Sequence, residues 1–128
     1  MKRQLLLVAH GESARVLMDQ ARTLIGELPV ATRCIRFTNA DNPDLVVKST
    51  LESTTNCEEC VVVTDLYGSS PSNIAHALAR ELSCSVVHGL NLAMLIRAYN
   101  YAELPLDEWI EHMMEGARRA IFCGNTPP

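Results

Sequence analysis

Apolar and polar positions alternate along this chain with two different periods, and the two take turns. Leu5-Leu6-Leu7-Val8-Ala9 is an unbroken apolar run, the pattern of a strand buried on both faces in a parallel sheet. Residues 12–28 then place Ala14, Leu17, Met18, Ala21, Leu24, Ile25 and Leu28 at helical spacing, with Pro29 as the predicted stop. Residues 32–37 alternate and predict a second strand. Asp41 or Asn42 can cap a helix reaching about Thr54, with Pro43 suited to its first position.

The second half repeats the theme. Cys60-Val61-Val62-Val63-Thr64 predicts a third buried strand, ending at Asp65 and entering the turn Leu66-Tyr67-Gly68-Ser69-Ser70-Pro71. A helix is expected over 71–82, a short strand over 85–88 and a helix over 91–101. After Pro105 a last amphipathic helix, capped by Asp107, should run to about Arg119 with Trp109, Ile110, Met113 and Met114 on its apolar face. Residues 120–123 are apolar enough for a fifth strand. Strand alternating with helix predicts an α/β fold with a mainly parallel sheet and helices on both faces.

Length fits one domain spanning 1–128. A net charge of −4 and the lack of any basic run beyond Arg118-Arg119 argue against a nucleic-acid partner. The only early apolar run, residues 5–9, is too short for a secretory signal, and no stretch approaches the roughly 20 apolar residues of a membrane span. The expectation is a cytoplasmic protein without membrane insertion. Five cysteines, Cys34, Cys57, Cys60, Cys84 and Cys123, are then expected to be reduced. The Cys57-x-x-Cys60 pair leads into a strand, not a helix, and lacks a second ligand pair, so it is read as incidental and neither zinc-binding nor redox-active.

In open α/β sheets ligands bind beyond the carboxyl ends of the strands. Three strand ends are chemically informative: His10-Gly11-Glu12-Ser13, then Asp65 with the Gly68-Ser69-Ser70 turn, then Gly89-Leu90-Asn91. A 2-1-3-4 strand order would bring them to one rim. A neutral imidazole at His10 is a competent nucleophile that can carry a phosphoryl group. Asp65 would fix its tautomer and stabilise the charge that develops on the ring. Gly68, Ser69 and Ser70, at the start of a helix, would offer backbone N–H groups and the positive dipole end to phosphoryl oxygens, together with Gly11. Ser70 is expected to serve both as N-cap and as phosphoryl ligand. His76, His88 and His112 are read as surface or internally satisfied, and the methionines as core filler.

These residues carry a family resemblance. Leu6-Leu7-Val8-Ala9-His10-Gly11, Val63-Thr64-Asp65-Leu66-Tyr67-Gly68-Ser69-Ser70-Pro71-Ser72-Asn73 and Gly89-Leu90-Asn91-Leu92-Ala93-Met94-Leu95 resemble, in order and spacing, the mannose/fructose/sorbose-family IIA component of the bacterial phosphoenolpyruvate-dependent sugar phosphotransferase system. The resemblance implies a flavodoxin-like sheet of order 2-1-3-4-5 whose last strand is antiparallel and exchanged across a homodimer. It implies that His10 is phosphorylated, that Asp65 is its carboxylate partner and that Ser70 contacts the phosphoryl group. Tyr67, Asn73 and Asn91 would lie on the rim or face a partner. Phospho-HPr would be the donor and a separate IIB protein the acceptor, with membrane IIC/IID components reached only through IIB, and with no cofactor or metal required. The chain departs from the family pattern at Ser69, usually glycine, and at Ala93, usually proline; Ser69 is compatible with the turn if its φ is negative.

Three other readings compete. Val8-Ala9-His10-Gly11 also resembles the opening of small sirohydrochlorin-type chelatases, which would need His88 as a second metal ligand and would leave Asp65 and the Gly-Ser-Ser-Pro turn without a task. His10-Gly11-Glu12 is similar to a histidine-phosphatase signature, but Ala9 stands where that signature has its phosphate-binding arginine. The phosphocarrier subunit of dihydroxyacetone kinase shares a histidine after the first strand, whereas the Asp65–Pro71 motif favours the mannose-type IIA.

Overall fold

The computed structural model describes residues 3–54 and 57–125. Nine elements follow the predicted alternation: β1 (Arg3–His10), α1 (Ser13–Ile25), β2 (Ala31–Phe37), α2 (Pro43–Ser53), β3 (Glu59–Thr64), α3 (Ser70–Leu82), β4 (Ser85–His88), α4 (Leu92–Asn100) and α5 (Leu106–Arg119). The four strands form one sheet in the order β2-β1-β3-β4, with every neighbouring pair parallel. These are the first four strands of the flavodoxin-like order that the family resemblance implied.

The unbroken apolar runs are explained by two helical layers. Because successive strand residues face opposite sides, Leu5, Leu7, Ala9, Val61 and Val63 pack with residues of α1, α4 and α5, including Ala21, Leu95, Trp109 and Met113. Leu6, Val8, Ile35, Phe37 and Val62 pack instead with Ile74, Ala75 and Leu78 of α3 and with Val46 and Val47 of α2. Residues 5–9 and 61–63 are wholly inaccessible, so neither face of the central strands has a polar side. Each fully buried aliphatic side chain of this kind contributes about 1.5–3 kcal/mol, which makes β1 and β3 the rigid base of whatever their ends carry.

Several boundaries moved for local reasons. α1 ends at Gly26, whose φ of 86° lies in the left-handed region, three residues before the proline expected to stop it. Asn42 caps α2 through Oδ1, which accepts from the N–H groups of Asp44 and Leu45, as expected. α3 is capped by Ser69 and not by Ser70: the Ser69 hydroxyl accepts from the Ser72 N–H at 3.3 Å, and Ser70 is already the first helical residue. α5 starts one turn-position earlier than Asp107, behind Pro105, leaving Asp107 in the first turn, where its charge still suits the helix dipole. Residues 120–123 add no fifth strand to this sheet; Ile121 and Phe122 follow α5 exposed, at 78% and 52%. A lone short segment beyond a helix has no strand of its own chain beside it to complete a ladder.

Cys57 and Cys60 also correct an expectation. They are joined as a disulfide, with Cα atoms 6.0 Å apart, at the entrance to β3. Cys57 precedes the strand and Cys60 is its second residue, a spacing that brings the two side chains together. This bridge lies at the amino end of the strand, away from the rim that carries His10.

Candidate functional site

The site is built where β1 and β3 end side by side. Their parallel register pairs Val8 with Thr64, so His10 and Asp65 emerge from adjacent strands on the same edge of the sheet. His10 is the last residue of β1, still in register with Phe37 of β2. The chain then turns at Gly11, whose φ is +52° and whose N–H donates to the Phe37 carbonyl at 2.8 Å. That bond fixes the exit of the strand, and it occupies the Gly11 donor. Ser13 Oγ donates to the His10 carbonyl at 2.8 Å and braces the turn from the helical side.

Asp65 binds His10 twice with one oxygen. Its Oδ2 accepts from the His10 backbone N–H at 3.1 Å and lies 2.9 Å from His10 Nδ1. Its Oδ1 accepts from the Leu66 N–H at 2.8 Å. Burial pushes the Asp65 carboxyl up, but the hydrogen bonds from the His10 ring, the His10 N–H and the Leu66 N–H outweigh it and hold its pKa below the usual carboxylate value. An ionised carboxylate only accepts, so Nδ1 must carry the proton. The lone pair of the neutral ring is then on Nε2. The His10 side chain is 49% exposed, so this nitrogen is accessible.

Beside it runs the turn 66–69. The Ser69 N–H donates to the Leu66 carbonyl at 3.3 Å, closing a β-turn with Gly68 in its third position at φ +84°. A Cβ in that conformation would be strained, which accounts for glycine here. Ser69, by contrast, has φ −87° and ψ 173°, extended backbone that serine adopts freely. The departure from glycine at this position therefore costs nothing, and the hydroxyl gains the capping role. Its Oγ also donates to the Leu66 carbonyl at 2.6 Å. Among the described residues, the N–H groups of Gly68 and Ser70 and the Ser70 hydroxyl make no hydrogen bond. They flank the N-cap of α3, Gly68 just before it and Ser70 just after, where free donors and the positive dipole end favour an anion.

The remaining sequence candidates divide. Tyr67 is 74% exposed and Leu66 63%, forming an apolar prominence on the rim. Asn73 lies exposed in the first turns of α3. Asn91 is committed to structure: its Oδ1 caps α4 by accepting from the Met94 N–H at 2.8 Å, and its Nδ2 donates to the Ala117 carbonyl at 3.3 Å, tying α4 to α5. A feature that sequence reading passed over is the contact of His76 on α3 with His88 at the end of β4, their Nε2 atoms 3.1 Å apart. Burial and the neighbouring His76 lower the His88 pKa. The contact depends on the fold: with β3 and β4 as neighbours, α3 crosses between them and its second turn meets the end of β4. His112 stacks on Tyr101, with centroids 4.2 Å apart.

A four-stranded parallel sheet in the order β2-β1-β3-β4, with a histidine held by an aspartate at one strand end and open donors at the neighbouring helix start, defines an α/β protein of flavodoxin-like fold. Comparison with known proteins makes this specific. Residues 4–114 match the profile of the fructose IIA component of the phosphotransferase system, and the chain belongs to this mannose/fructose-type IIA family. No curated protein matches at a significant level. Among solved structures, the mannose/sorbose-specific IIA subunit of the phosphotransferase system from Enterococcus faecalis is similar at 27% identity and TM-score 0.82, covering 100% of this chain and 98% of that one. The component EIIA from Streptococcus agalactiae shares the fold at 23% identity and TM-score 0.84, over 94% of this chain and 96% of that one. The IIA protein associated with the fucose utilization operon of Streptococcus pneumoniae does so at 24% identity and TM-score 0.74, over 96% and 93%. Among the described residues, no helix is long and apolar enough to cross a membrane.

Proposed function

We propose that the chain is a cytoplasmic phosphocarrier that accepts a phosphoryl group on His10 Nε2 from phospho-HPr and passes it to a separate IIB protein. The observation that carries this reading is the bond between Asp65 Oδ2 and His10 Nδ1, which leaves Nε2 as the nucleophile. In the step, the Nε2 lone pair forms a bond to phosphorus. The donor's phosphorus–nitrogen bond breaks, and its electron pair stays on the donor ring. The proton remains on Nδ1, where the Asp65 carboxylate compensates the cationic ring that results. Gly68, Ser69 and Ser70 support the reading as an anion cradle: the N–H groups of Gly68 and Ser70 and the Ser70 hydroxyl are unspent, and the Ser69 hydroxyl holds the helix start that presents them. Leu66 and Tyr67, exposed beside them, suit the docking of a partner protein. Transfer from IIB to a sugar would follow at membrane IIC/IID components that this chain reaches only through IIB.

The test is direct. Incubation with enzyme I, HPr and phosphoenolpyruvate should place an acid-labile phosphoryl group on His10, and His10→Ala should remove the label. Labelling that survives in that variant would overturn the assignment. The chelatase alternative gains nothing from the geometry, since the ring of His10 is paired with Asp65 and that of His88 with His76; cobalt insertion into a tetrapyrrole would revive it.

The same reading includes a homodimer. Exposed Ile121 and Phe122, beyond the end of α5, are apolar and join no strand among the described residues, and β4, only four residues long, is one edge of the sheet. Exchange of residues 120–123 between two chains would cover both. Light scattering should report about twice the 14.1 kDa chain mass, shifting toward monomer or aggregate on truncation after Arg119. A monomer for both chains would remove the exchange.

A further inference from the structure

Two imidazoles that phosphoryl transfer does not use meet a few residues from the site. His76 projects exposed from the second turn of α3, and His88 is the half-buried last residue of β4. Their Nε2 atoms stand 3.1 Å apart, with ring planes 33° from one another and centroids 5.0 Å apart. Neither ring has another hydrogen-bond partner among the described residues.

The geometry distinguishes two arrangements. A linear N–H···N bond between two rings separates their centroids by roughly 5.4 Å, the nitrogen distance plus one ring radius on each side. Here the centroids are closer than that, so the contact departs from a linear bond along both ring axes. Two imidazole nitrogens bound to one zinc at about 2.0–2.1 Å each lie about 2.8–3.4 Å apart, for angles between the octahedral and tetrahedral values. The observed 3.1 Å falls inside that interval. Both rings present nitrogen, the donor that borderline divalent metals prefer.

We propose that His76 and His88 form a two-imidazole site for a divalent transition metal, with Zn2+ as the reference ion. No cluster of three or more histidine, cysteine or acidic side chains that could hold a metal occurs among the described residues, so water completes the coordination. The site is accordingly open and exchangeable, unlike a closed structural zinc site with four protein ligands. Tyr67 covers it from the side of the rim, its ring 5.0 Å from that of His88 and 6.4 Å from that of His76, edge-on to both. The ion would add positive charge behind the exposed Tyr67 prominence. This site stands on its own geometry and does not depend on His10 being phosphorylated.

The experiment uses the full chain, free of any affinity tag and stripped with chelator. Zn2+ is titrated by calorimetry while the imidazole ring signals are followed by NMR. One Zn2+ per chain is expected, shifting the ring signals of His76 and His88 and leaving those of His10 and His112 in place. Affinity should fall roughly tenfold or more, about 1.4 kcal/mol, in His76→Gln and in His88→Gln. Glutamine keeps much of the side-chain volume, and circular dichroism of each variant confirms the fold. A Cys57→Ser/Cys60→Ser chain should bind as the parent does. Absence of saturable binding, affinity within twofold of the parent in both histidine variants, or loss of binding in the cysteine variant would each overturn the site.

Discussion

The strand pair β1–β3 carries an ion pair at each end, and the two are nearly equal in length but opposite in design. At the amino end, Arg3 and Glu59 face each other in register, with Arg3 Nη2 2.8 Å from Glu59 Oε1. Arg3 spends four of its five N–H donors: its Nε also donates to Oε1, its Nη1 donates to the carbonyls of Ala102 and Leu104, and its guanidinium lies 4.5 Å above the Trp109 ring. At the carboxyl end, His10 Nδ1 lies 2.9 Å from Asp65 Oδ2, yet the histidine side chain is 49% exposed where that of Arg3 is 8%. One pair is buried and nearly closed, and fastens the chain between α4 and α5 to the sheet. The other leaves a nitrogen open beside unspent amides. The difference between a stabilising and a reactive charge pair lies in what remains unsatisfied around it, not in the pair distance.

Breaking each pair should therefore move a different observable. Arg3→Met removes the cation, leaving the Glu59 carboxylate half-covered and two carbonyls without donors. Loss of one partner of a buried pair costs about 3–5 kcal/mol; with Glu59 still 23% exposed, about 2–3 kcal/mol is expected. Urea unfolding should show this as a lower midpoint, while phosphoryl transfer below the transition stays within about twofold of the parent, far from the tenfold that 1.4 kcal/mol represents. A large loss of transfer in the folded variant would mean that the two ends are coupled through the strands.

Asp65→Asn should do the reverse. Asparagine can present an amide to the ring and lose control of the tautomer, and it cannot compensate the phosphorylated ring, so transfer should slow by roughly tenfold or more. A rate within about twofold would mark Asp65 as structural. The variant should also change the response to acid. The folded pKa of Asp65 is lowered, so the unfolded chain binds more protons as pH falls below the ordinary carboxylate value of about 4. The stability Asp65 contributes is present above that value and is lost as pH drops through the folded pKa. The midpoint of unfolding should therefore fall less steeply with acid in Asp65→Asn than in the parent.

The two regions also differ in how far the sequence discloses them. Element order and the polar strand ends at His10 and Asp65 follow from runs such as residues 5–9 and 61–63, because parallel strands buried on both faces admit no polar interruption until they end; the 2-1-3-4 sheet that brings those ends together came from the family resemblance. What failed to show was local hydrogen-bond competition. Ser69 and Ser70 are equally good caps by residue type, and the turn at Gly68 decides between them by putting Ser69, with extended backbone, before the first helical residue. Gly26 preempted Pro29 for the same kind of reason. The Arg3 anchor and the His76–His88 contact are invisible along the chain, because each joins elements whose proximity only the fold creates. The disulfide between Cys57 and Cys60 ran against an expectation drawn from compartment, which says nothing about the turn that brings them together.

A smaller effect probes the strand that joins the two ends. Thr64 is the last residue of β3, wholly buried, one position before Asp65. Its carbonyl accepts from the Leu90 N–H at 3.1 Å, but its hydroxyl has no hydrogen-bond partner. A buried hydroxyl left unsatisfied costs about 1–3 kcal/mol. Valine has nearly the same shape, suits a strand and brings no polar atom. Thr64→Val should therefore raise the free energy of unfolding by about 1 kcal/mol, read from the urea midpoint at unchanged slope. Transfer should be unaltered, because neither bond from Asp65 to His10 passes through that hydroxyl. If stability instead falls while transfer slows, the hydroxyl has a partner that matters at the rim, and the boundary between the rigid base and the reactive end lies one residue further into β3.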